Sequence, residues 1–97
     1  MNVIRKEAAQ TLFAYSGINT REAFVNINFQ DDNFDWTFYD SRNWSDRDKV
    51  IFEVIKLLVT GKSSLELQDF QLIGQYDLLA VTDALKIGLA QVNPIKE

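Results

Sequence analysis

Between Val50 and Val59 the chain places eight apolar residues in ten positions, interrupted only by Glu53 and Lys56. Together with Lys49 and Thr60 these two polar residues recur at spacings of four, three and four, one narrow stripe down a single helix face. A helix that is apolar over the rest of its circumference must be covered on nearly every side. This requirement dominates the fold, and the segment is expected to be its central element. Its ends are marked. Ser45 and Asp48 form a capping-box-like pair with Asp in place of Glu, Asp46 and Asp48 suit the positive end of the helix dipole, and Gly61 is a stop signal.

The remaining segments must supply the cover. Ile4, Ala8, Leu12 and Tyr15 share one face of a helix over 3–15, ended by Gly17. Residues 24–39 change to period two. Val25, Ile27 and Phe29 alternate with polar neighbours, as do Phe34, Trp36 and Phe38, and Asp31-Asp32-Asn33 between them is turn chemistry. This predicts a β-hairpin with one apolar face, which must rest on helices because an isolated hairpin is marginal in water. Over 62–74, Ser63 and Glu66 suggest a capping box and a short helix through Phe70, while the alternation around Leu65 and Leu67 also suits a strand; helix is the reading adopted. A last helix over 75–92 carries Leu78, Val81, Leu85, Leu89 and Val92 on one face and the small residues Ala80, Ala84 and Gly88 on another, and ends at Asn93-Pro94. The expected fold is one α+β domain over 1–97: a small antiparallel hairpin packed against three to four helices, in the order α-β-β-α-(short α)-α. Trp36, Phe38, Ile51, Val54, Ile55, Leu58, Leu85 and Leu89 are its expected core.

Several chemistries are disfavoured by what the 97 residues lack. There is no Cys and no His, which removes disulfides, thiolate nucleophiles, the commonest metal ligand and the commonest general base. The four glycines are isolated, so no phosphate-binding loop is present. Asp31, Asn33 and Asp35 match the first positions of a calcium loop, but Trp36 and Arg42 stand where its Gly and distal Glu belong. No metal, cofactor or catalytic set is therefore expected. Glycosidase-type carboxylate pairs are conceivable among the Asp residues, yet turn and capping duties already account for most of them.

Six Asp residues between 31 and 48 concentrate the acidity of a chain whose net charge is −4. Asp31, Asp32, Asp35, Tyr39, Asp40 and Trp44 form a candidate protein-binding surface of carboxylates and aromatic rings. Trp44 has a second reading, as a lid over the core. The expected function is a small, non-enzymatic, protein-binding protein of the accessory, inhibitor or immunity type, of bacterial or phage origin. A helix-turn-helix-like DNA binder, with 75–89 as recognition helix, is an alternative, as are an acidic nucleic-acid mimic and a minor enzyme. Acidic balance disfavours nucleic-acid binding. The initial Met suggests a complete small protein, and neither a signal peptide nor a membrane span is evident, so the expected location is cytoplasmic. A weak homodimer is expected through the open strand edge at 24–30 or the stripe of small residues.

Overall fold

The structure, a computed structural model, describes residues 3–18, 27–29, 33–36 and 44–90. Three α-helices dominate it: α1 (Val3–Ser16), α2 (Asp46–Thr60) and α3 (Gln75–Ala90), with a 3-10 helix (Leu67–Leu72) between α2 and α3. The fold is helical, which overturns the α+β expectation. Among the described residues, strand pairing is confined to β1 (Ile27–Asn28) and β2 (Asn33–Phe34), antiparallel, with Ile27 opposite Phe34 and Asn28 opposite Asn33. Trp36 is already in helical conformation. Two rungs make no layer on which helices could pack. The period-two aromatic pattern misled because its rings stack on one another and, through Phe29, on Phe13 of α1, instead of lining a broad sheet. Phe29 is buried against Phe13 at 5.9 Å between ring centroids, Phe34 meets Phe29 edge-on at 5.3 Å, and Trp36 stacks on Phe34 at 5.6 Å. Phe38, also expected in the core, lies outside the described residues.

The α2 helix begins and ends where its sequence signals stand. Ser45 Oγ accepts from the Asp48 amide at 3.2 Å, and Gly61, at φ 82°, donates its amide to the Leu57 carbonyl at 2.8 Å. Only a residue free of a Cβ enters that left-handed conformation cheaply. Ile51, Val54, Ile55 and Leu58 are buried as expected. The most enclosed helix is nevertheless not the hub. It is α1 that packs along both α2 and α3, while those two touch each other much less.

Polar contacts at the helix ends set the directions. Near the start of α1, Arg5 donates from Nε to the Leu58 carbonyl at 2.9 Å and from Nη2 to the Leu57 carbonyl at 3.4 Å, capping the end of α2. At the other end of α1, Arg47 in the first turn of α2 donates to the Ser16 carbonyl. The two helices are therefore antiparallel. Gly88 lies beside Arg5 and Ala8, and Asp77 beside Tyr15, so α3 also runs antiparallel to α1.

The face that α3 turns inward differs from the one expected. Val81, Ala84 and Gly88 are buried, Leu85 is half-buried, and Leu89 is 51% exposed. A Cβ at Gly88 would lie 2.6 Å from Leu58 Cδ2 and 3.7 Å from Ala8 Cβ. Val81 comes from the expected apolar face and Ala84 and Gly88 from the small-residue stripe, whose small size lets the backbones of α1 and α3 approach closely. Ala84 and Gly88 of the small-residue stripe are thus packed inside the molecule, while Ala80 is half-buried. Over 62–74 the chain forms the 3-10 helix, opened by the Glu66 amide donating to Asp69 Oδ2 at 2.8 Å, whereas Ser63 Oγ accepts from the Leu65 amide in a local turn. No helix among the described residues is long and apolar enough to cross a membrane.

Candidate functional site

Placing small residues inward leaves large ones on the outside of α3. Tyr76, Leu79, Asp83 and Ile87 recur at spacings of three, four and four, so they share one stripe. Tyr76 is 78% exposed, Leu79 53% and Ile87 52%. Single exposed apolar residues are ordinary; here three share one stripe, with the exposed Asp83 between Leu79 and Ile87. The row adjoins an open groove of about 280 Å³ between α1 and α3, walled by Ala8, Leu12 and Tyr15 on one side and Ala80, Ala84 and Ile87 on the other. Its apolar floor follows from the same small residues, since Ala side chains leave space that Leu would fill. Asp83 is the one charged side chain lining it among the described residues.

A polar cluster closes one end. Arg47 makes a forked pair with Asp77, from Nε to Oδ2 at 3.0 Å and from Nη2 to Oδ1 at 3.2 Å, and reaches Asp48 at 3.1 Å. Tyr15, whose ring lines the groove, donates its hydroxyl to Asp77 Oδ1 at 2.8 Å. The hydrogen bonds from Arg47 hold the Asp77 carboxyl below the usual carboxylate range, with Tyr15 adding to the effect. The bond to Asp77 raises the Tyr15 phenol, because the anionic phenolate would lose it and face the carboxylate. Pairing with Asp77 likewise keeps the Arg47 guanidinium charged. The cluster holds the Tyr15 hydroxyl against Asp77 at this end of the groove.

No protein family, curated protein or solved structure matches this chain. What can be said of its site rests on geometry alone. Among the described residues, no three Asp or Glu side chains converge in a way that could hold a metal ion.

Of the residues singled out from the sequence, Asp31, Asp32, Tyr39 and Asp40 lie outside the described residues. Asp35 is exposed. Trp44 is half-buried, with its ring 4.9 Å from that of Phe52, so most of it packs on the core. The row Tyr76, Leu79 and Ile87 was missed. The available signal was that α3 carries apolar residues on both flanks of its small-residue stripe, so that only one of three faces could be satisfied by burial.

Proposed function

We propose that this protein works in the cytoplasm by binding another protein, with the outer row of α3 and the adjoining α1–α3 groove as its docking surface. The observation that carries the reading is the outer face of α3, where Tyr76, Leu79 and Ile87 are exposed while Val81, Ala84 and Gly88 face the core. The occupant that fits is an amphipathic helix whose apolar ridge enters the groove and whose flanks are basic. An apolar trough beside a helix suits helix-in-groove recognition. Asp83 at the groove and the net charge of −4 favour positive flanks. As a DNA recognition helix, α3 would present apolar side chains and Asp83 to phosphates, with Lys86 as its exposed base, an unfavourable surface for that role.

A photoreactive residue at Leu79 tests the reading in the source cell, with one at exposed Gln10 on α1 as the control. The Leu79 probe is expected to trap a discrete protein that the Gln10 probe does not. Ile87→Asp should weaken that complex by at least about tenfold, since it puts a charge into an apolar contact. Equal adducts from both probes, or a complex indifferent to Ile87→Asp, would refute the assignment.

A further inference from the structure

Between Gly61 and Gly74 the chain folds back over α2 as a strap in which no residue is fully buried. Leu65, Phe70 and Ile73 pack against the core only in part, and Leu67 is 85% exposed. Two clefts run between strap and helix, one of about 190 Å³ beside Val50 and Glu53 and one of about 680 Å³ beside Leu57, with Leu65 lining both. Ser64 Oγ ties the strap to α2 by donating to Glu53 Oε1 at 2.9 Å. Glu53 is only 8% exposed, and its Oε2 is shut off from solvent with no hydrogen-bond partner. An oxygen buried without a donor carries a desolvation cost that contact with water would relieve.

We propose that residues 62–73 form a lid that lifts from α2 as a unit, turning at Gly61 and Gly74, while the three α-helices stay folded. Glu53 sets how readily it lifts. Packing, hinges and hydration point the same way. Segments with few buried apolar contacts open at a lower free energy than the core beneath them, and this strap has no fully buried residue. Its two ends are glycines, which absorb backbone rotation at the least steric cost. A Cβ at Gly74 would meet no atom within 4 Å, so packing does not call for glycine there. When the lid rises, Glu53 Oε1 exchanges the Ser64 hydroxyl for water at little net cost, whereas Oε2 gains a partner that it lacks when the lid is down. The rest of the molecule can stay together, because α1 packs along both α2 and α3. Neither cleft shares a lining residue with the α1–α3 groove, so the lid does not depend on the docking surface.

The chain has no cysteine, so one introduced thiol reports opening through its reaction with an aromatic disulfide reagent. Val50 is buried and lines the cleft under the lid, and Val81 is buried in α3. Cysteine is close to valine in size, so Val50→Cys and Val81→Cys disturb the packing little. In the full chain, the thiol of Val50→Cys is expected to react at least about tenfold faster than that of Val81→Cys. Its rate should also depend less steeply on urea, because lifting a lid exposes less surface than unfolding. Leu12→Val, a mild core truncation in α1, should speed the Val81→Cys reaction and leave the Val50→Cys reaction unchanged. In the Val50→Cys background, Ser64→Ala should speed labelling severalfold, and Glu53→Met should slow it about fivefold. Equal rates for the two thiols, equal acceleration of both by Leu12→Val, or a Val50→Cys rate indifferent to Ser64→Ala and Glu53→Met would overturn the proposal.

Discussion

At position 53 an apolar side chain would pack at least as well as the acid that is there. Glu53 lies in the core-facing part of α2, yet one of its oxygens has no donor. Exchanging such a group for an apolar one of similar shape is often neutral or stabilising. Glu53→Met should therefore raise stability by about 1 kcal/mol, a melting-temperature gain of roughly 4–8 °C for a domain of this size, read by calorimetry. A loss instead would mean that the bond from Ser64 outweighs the stranded oxygen. Gly88 presents the opposite case. Gly88→Ala gains about 1 kcal/mol in helix propensity but drives a Cβ to within 2.6 Å of Leu58 Cδ2. Overpacking a tight core costs about 1–3 kcal/mol, so a net loss of up to about 2 kcal/mol is expected in denaturant unfolding. The two sites share one space. Leu58→Ala alone should cost about 2–5 kcal/mol, and less when combined with Gly88→Ala, because the added methyl partly fills the hole. The double-mutant cycle should show at least about 0.5 kcal/mol of coupling.

At the scale of elements, α2 was legible from end to end because every local signal agreed: Ser45 at its start, an apolar body with one narrow polar stripe, and Gly61 with its positive φ. The α1 helix was legible for a similar reason, with Gly17 again in the left-handed conformation. Around β1 and β2 only the antiparallel pairing of Ile27–Asn28 with Asn33–Phe34 was legible. Alternation of large rings reads as a strand whenever the rings share one surface, and here Phe29, Phe34 and Trp36 share one by stacking on each other and on Phe13. Periodicity reports that side chains lie together; it does not report what backbone brought them there. The α3 helix shows a second limit. Its leucines at 78, 85 and 89 and its small residues at 80, 84 and 88 both keep helical spacing. Only the approach of α1, held by Ala8 and Arg5 against Gly88, decides which set turns inward. The docking surface proposed for α3 was hidden for a related reason, since Tyr76, Leu79 and Ile87 belong to neither set.

Across the whole molecule, Arg47 is the joint. Its guanidinium serves the Ser16 carbonyl at the end of α1, Asp48 in its own first turn, and Asp77 in the first turn of α3. Because the folded state holds the Asp77 carboxyl below its ordinary range, this carboxylate contributes stability that is fully present at neutral pH. That contribution is lost as pH falls below about 4, where the unfolded chain takes up the proton first. Urea unfolding between pH 3 and 7 should show this decline, and Asp77→Asn should flatten it while lowering stability at pH 7. An unchanged slope in Asp77→Asn would assign the acid sensitivity to other carboxylates. Arg5 clasps the last carbonyls of α2 at the opposite end of the same helix pair. Two clasps facing each other along one axis act as a stop in both directions. A slip of one turn, about 5.4 Å, would withdraw both guanidiniums at once. The ratcheting by which some helical proteins relay a signal is thereby closed to α1 and α2. A partner seated in the proposed groove would touch α1 as well as α3, and hydrogen exchange in α2 should be the same with that partner bound as without it. This protein would then act by occupancy, as an obstacle or an adaptor, and not as a transmitter.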